Sequence, residues 1–80
     1  MSMETVKKPI REVGDKVYLD GYTSIAQQNA EIVTINKVDW KFDKNTGEKF
    51  PIYHVGDGEW YDSRDGGCYS NKKSMYYLDL

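Results

Sequence analysis

The sequence predicts an all-β protein: a small five-stranded antiparallel barrel with a short helical turn in the 22–30 loop. Three observations lead there. The chain has 80 residues, enough for one small domain and too few for two. Eleven residues are aromatic (seven Tyr, two Trp, two Phe), whereas only two are Ala and three are Leu. That balance suits pleated sheets rather than helices. Short alternating apolar runs are separated by turns that carry glycine, the pattern of a closed β domain. Closure also removes bare strand edges, a hazard for a sheet this small.

Residues 1–8 are polar and charged and are followed by Pro9, so they read as a flexible N-terminal arm before a single domain over 9–80. Gly14-Asp15 is a turn dipeptide. In Lys16-Val17-Tyr18-Leu19, Val17 and Leu19 share one face and Lys16 and Tyr18 the other, which predicts a half-buried strand. Asp20-Gly21 ends it. The polar stretch from Tyr22 to Ala30 has room for one helical turn at Ser24–Gln28, with Ser24 as its cap.

Glu31 to Phe42 carries the strongest strand signal, yet its alternation changes phase. Val33 and Ile35 have one parity; Val38, Trp40 and Phe42 have the other. One extra residue near Asn36-Lys37 restores the phase, which is what a β-bulge does, and lets one long strand serve two sheets. On that reading Trp40 belongs to the core with Val38 and Phe42.

Asp43 to Lys49 is a hairpin loop, and Phe50 to Val55 is the returning strand. Pro51 lies near the start of that strand, where a missing N–H is tolerated best. Gly56-Asp57-Gly58 turns into a short strand at Glu59–Ser63. Arg64-Asp65-Gly66-Gly67 turns again, and Ser74–Leu78 closes the domain.

The order of these signals resembles the Src-homology-3-type barrel superfold in its KOW-like and Tudor-like versions. The residues that carry the likeness are Val13 to Leu19, Gly21, Ala30 to Ile35, Tyr53-His54-Val55 and Gly56-Asp57-Gly58-Glu59. The resemblance implies a superfold that hosts binding modules; it names no ligand. The acidic-aromatic opening of proline-peptide-binding members is absent, as is the second glycine of a KOW motif.

Charge and composition exclude several functions. There are 11 basic and 13 acidic side chains, a net charge of -2, with five and six in residues 1–40 and six and seven in 41–80. A phosphate-binding surface usually shows a basic block, and none is present. One Cys excludes an intrachain disulfide, so a reducing compartment is expected. No run approaches the ~20 apolar residues of a membrane span, and residues 1–8 lack the apolar core of a signal peptide. A soluble, cytoplasmic protein is expected.

Chemistry is poorly supplied. His54 is the only His and sits in a strand with no partner beside it, so it reads as a strand-surface side chain rather than a base. Cys68 follows two glycines and is expected to be exposed and oxidisable, again with no adjacent base. The acids from Asp57 to Asp65 fail the calcium-loop pattern, because Tyr61 stands at a ligand position and the closing Glu is missing. No catalytic residue, metal site or cofactor is expected.

Binding remains. In a strand, adjacent side chains point to opposite faces, so Trp60-Tyr61 and Tyr76-Tyr77 each offer one ring to the core and one to the outside. Exposed Tyr, Trp and Arg anchor protein interfaces. The expected binding residues are Tyr22, Trp60, Tyr61 and Arg64, with Lys72 and Lys73 as a basic rim. The expected function is a non-catalytic protein-binding module that docks on a larger protein through exposed aromatics or an edge strand. A chain this short, starting at Met1, has the look of a small phage or mobile-element inhibitor of a host factor. Two alternatives stand beside it. One is a nucleic-acid-binding module, which needs Lys16, Lys37, Lys41, Arg64, Lys72 and Lys73 to converge. The other is a small structural component of an assembly.

Overall fold

The computed structural model describes residues 10–56 and 58–80, so the expected arm and Asp57 lie outside the described residues. Strand β1 (Lys16–Gly21), helix α1 (Ser24–Gln28) and strands β2 (Glu31–Phe42), β3 (Lys49–Val55), β4 (Glu59–Asp62) and β5 (Tyr76–Asp79) follow in that order. The strands form one antiparallel sheet ordered β4-β3-β2-β1-β5. Two isolated bridges, Tyr61 to Cys68 and Gly67 to Tyr77, link its outer strands and nearly close the barrel. This is the arrangement expected of a small Src-homology-3-like barrel.

Strand β1 alternates as the sequence predicts: Val17 is buried and Leu19 packs against the core, while Lys16 and Tyr18 face out. Helix α1 forms where a helical turn was expected, but its cap is Thr23 rather than Ser24. The Thr23 Oγ1 accepts the Ala26 N–H at 3.1 Å. Ala26 is fully buried and packs directly on Gly21. Any Cβ at position 21 would fall inside the radius of the Ala26 methyl and backbone, so glycine is required there for room.

The bulge in β2 is where the phase change predicts it. The register against β3 shifts between Ile35 and Lys37, and the Asn36 amide donates to the Gly56 carbonyl at 2.9 Å. Before the bulge β2 pairs with β1, from Glu31 to Thr34; after it, β2 pairs with β3 as far as Phe42. A twelve-residue strand spans about 40 Å at ~3.3 Å per residue.

The core lies between the two halves of this bent sheet. Val17, Ile35, Tyr53, Val55, Tyr61, Cys68 and Leu78 fill it. The Tyr53 hydroxyl accepts the Arg11 N–H at 2.8 Å, so the largest fully buried ring has its polar end satisfied. Closure depends on Gly66. Its φ of +82° and its contact with the Leu78 carbonyl admit no side chain, and its own carbonyl accepts the Leu78 N–H at 2.8 Å.

Candidate functional site

Six residues were expected to form a binding surface, and the barrel does not bring them together. Tyr61 is a correction. It is 2% exposed, pairs with Tyr53 across β3 and β4, and belongs to the core. Strand alternation assigned one ring of the Trp60-Tyr61 pair to each face, and Tyr61 took the inner one. Burial, reinforced by Cys68 and Glu59 nearby, pushes its phenol up to about 12. Trp60 takes the outer face and is half-buried. Its ring lies 5.0 Å from that of His54, with the Lys41 ammonium 5.5 Å from its centroid. Tyr22 is exposed and stacks on Tyr77 at 4.8 Å. Tyr22 and Lys72 both line a small polar hollow of about 210 Å³ with Asp62, Asp65 and Asn71. Lys72 also lies 4.8 Å from the Tyr69 ring, and Lys73 is exposed.

Arg64 is a staple within the chain. Its Nε and Nη2 donate to the Asp62 carboxylate at 3.0 and 2.7 Å, and Nη1 donates to Asp43 at 3.0 Å. The guanidinium lies flat over Phe50, 3.6 Å from the ring centroid. These contacts join the turn after β4 to the β2–β3 hairpin. They seal Phe50 and Ile52, which are buried on the outer side of β3. The planar fork that makes Arg a good interface anchor is here engaged internally.

Trp40 is the second correction. It is 52% exposed and Phe42 is 64% exposed, while Val38 packs only at the margin of the core. Periodicity correctly placed the three on one face. Among the described residues that face is only partly covered, by Pro51 opposite Trp40 and by the Lys49 ammonium 5.4 Å from the Phe42 ring, because β1 ends its pairing with β2 at the Lys16–Thr34 pair. The β2–β3 hairpin therefore extends past β1 with its aromatic face largely exposed among the described residues. A groove of about 440 Å³ runs along it towards the turn, with Ile10, Trp40, Asp43, Lys49, Pro51 and Arg64 in its lining. The signal that would have exposed Trp40 is a length mismatch: six residues in β1 cannot cover twelve in β2.

Among the described residues the same mismatch leaves an unpaired backbone edge. Ile35 exchanges bonds with Gly14 and Asp15 on the β1 side: it donates to the Asp15 carbonyl at 2.9 Å, and its own carbonyl accepts the Gly14 N–H at 2.8 Å. Past the bulge the direction reverses, and Asp43 donates towards β3, to the Glu48 carbonyl at 2.8 Å. Lys37, Asp39 and Lys41 share the parity of Asp43 and point their backbone groups at β3. Val38, Trp40 and Phe42 point theirs the other way, where no strand lies among the described residues. Pro51 fits this pattern. It opposes Trp40, so its missing N–H faces β4, and its carbonyl there accepts from Ser63 at 3.2 Å.

Of the chemistry-bearing groups, His54 has a partner that linear sequence could not show. Its Nε2 lies 2.8 Å from Asp39 Oδ2, across a diagonal of the β2–β3 ladder, and Lys37 Nζ reaches the same oxygen at 3.8 Å. Cys68 is a third correction: it is buried, not exposed, and its thiol donates to Glu59 at 3.4 Å. Among the described residues no three His, Cys, Asp or Glu side chains are grouped to hold a metal ion. Of the basic residues that a nucleic-acid surface needs, Lys37 and Arg64 are each tied to carboxylates. No helix among the described residues is long and apolar enough to cross a membrane.

Fold and site together define a small, nearly closed antiparallel β-barrel with a projecting hairpin, a class that carries many unrelated ligands. Searches against protein-family models, curated proteins and solved structures find no match for this chain.

Proposed function

We propose that this protein is a non-catalytic protein-binding module that docks through the projecting β2–β3 hairpin. The observation that carries this reading is the coincidence, on one stretch of β2, of a backbone edge unpaired among the described residues and an exposed aromatic face. Val38, Trp40 and Phe42 supply the edge, and Trp40 and Phe42 the exposed rings. An unpaired edge offers main-chain hydrogen bonds to an extended segment, and large rings beside it give that segment something apolar to cover. The groove under Trp40 adds a concave end to the same surface. A stable domain tolerates two large exposed rings side by side more readily when a partner covers them.

The test is affinity capture by the full chain, with nuclease present, compared with a Trp40→Ala/Phe42→Ala variant. Both positions are largely exposed, so the variant should stay folded and lose less than about 1 kcal/mol of stability. A protein captured in stoichiometric amount by the parent and lost from the variant supports the reading. Equal capture by both chains moves the docking surface elsewhere. Capture that disappears with nuclease points to a nucleic-acid ligand instead.

A further inference from the structure

We infer that the strand which pairs with the bare edge of β2 is the same strand of a second copy, related by a two-fold axis through Trp40. This rests on the reading of the hairpin as a docking surface and names its partner. The argument is one of register. An antiparallel self-pairing sets residue i opposite residue j with i + j constant, and the groups left without a partner among the described residues belong to Val38, Trp40 and Phe42. With the axis at Trp40, Trp40 meets its own copy and Val38 meets Phe42. Every free N–H and C=O on this edge then finds a partner.

The same register sorts the charges. On the opposite face Asp39 falls beside Lys41 of the second copy, and Lys37 beside Asp43, so each cross-strand pair is of opposite sign. Neighbouring registers fail. With the axis at Asp39, that carboxylate meets its own copy and Lys37 meets Lys41. With the axis at Lys41, two ammonium groups meet and Asp39 meets Asp43. An axis at Val38 runs the partner into Thr34, whose stretch of β2 is already paired with β1. An axis at Phe42 runs it into the 43–48 turn. Charged residues along an edge usually guard it against pairing. Here their spacing blocks the adjacent registers and permits the one that also brings the apolar residues together. On the aromatic face, Val38, Trp40 and Phe42 of each copy would cover the rings that a single copy leaves exposed.

The experiment is sedimentation equilibrium on the full chain from about 1 μM to about 1 mM, together with amide exchange. The expected result is a reversible monomer–dimer equilibrium. The amides of Val38, Trp40 and Phe42 should become protected as concentration rises, whereas those of Lys37, Asp39 and Lys41 should be protected throughout. Asp39→Lys and Lys41→Asp should each weaken the dimer about tenfold or more, since each turns the 39–41 pairs into like charges. Mixing the two variants should restore association, because every such pair is again of opposite sign. Mixing also controls for local damage, since a misfolded variant would not regain affinity.

A chain that stays monomeric across this range overturns the inference. If that monomer still captures a partner through Trp40 and Phe42, the docking reading stands and only self-pairing falls. A dimer indifferent to both charge variants overturns the inference as well, and so does protection of Val38, Trp40 and Phe42 that is independent of concentration. The last result would assign the edge to another segment of the same chain.

Discussion

Removing the Arg64 side chain should destabilise this barrel by about 2–3 kcal/mol. Breaking a buried ion pair from one side typically costs ~3–5 kcal/mol, because the other charge is left without its partner. The Asp62 side chain is only 10% exposed, which argues for the upper part of that range. Two features reduce it. The Arg64 side chain is 47% exposed, so water already screens the guanidinium. In Arg64→Ala the Asp62 carboxylate also keeps its bond from the backbone N–H of residue 64, now 2.8 Å long. Loss of the stack on Phe50 adds a smaller contribution. An 80-residue domain has about 4–12 kcal/mol of stability in all, at ~0.05–0.15 kcal/mol per residue. At ~4–8 °C per kcal/mol, the variant should melt about 8–24 °C below the parent near neutral pH.

Acid supplies an internal control. Burial alone pushes the Asp62 carboxyl up, but the Arg64 hydrogen bonds and charge outweigh burial and hold it below its ordinary value of 3.8. A folded-state value below the unfolded one means stabilisation that is present above the ordinary carboxylate range. It is lost as pH falls through the folded-state value. Melting curves of parent and Arg64→Ala, followed by circular dichroism, should therefore converge as the pH is lowered. A difference below about 3 °C at neutral pH would refute the reasoning and make Arg64 a solvated surface charge. So would a large difference that persists unchanged at low pH.

Two further outcomes follow from the packing. Gly21→Ala should be strongly destabilising because its new methyl collides with Ala26, and Ala26→Gly in the same chain should recover part of the loss. Additive losses in a urea-denaturation cycle would show that the two sites do not share that space. Tyr61 holds its proton to about 12 in the folded chain against an ordinary value of 10.0. The unfolded chain ionises first, so stability should fall as pH rises between those two values. Tyr61→Phe should flatten that part of the profile, and an unchanged alkaline slope would place the linked group elsewhere.

Much of the fold was legible in the sequence for local reasons. A bulge at Asn36 follows from a parity change that a two-residue repeat cannot hide. The hairpin at 43–48 and the turn at Gly66 follow from residue types that tolerate those backbone angles. The candidate surface was less legible, and the misplaced residues share one cause. Alternation assigns Trp40 and Phe42 to one face and separates Trp60 from Tyr61. It does not say whether another strand lies over that face. The Asp62 partner of Arg64 is only two residues away, but its second partner Asp43 is 21 residues away, and His54 looks alone because Asp39 is 15 residues away.

The sequence by itself thus determined the class of architecture, the strand limits to within a few residues, the bulge, and the scarcity of groups for chemistry. These depend on backbone preferences and on a period of two, both local properties of the chain. Only the tertiary structure decided which rings are covered. It set the short β1 against the long β2, buried Tyr61 and Cys68, engaged Arg64 internally, and left Val38, Trp40 and Phe42 on an edge that is unpaired among the described residues. Exposure depends on what lies across the sheet, and for a strand that outruns its neighbour only the assembled barrel sets where cover ends.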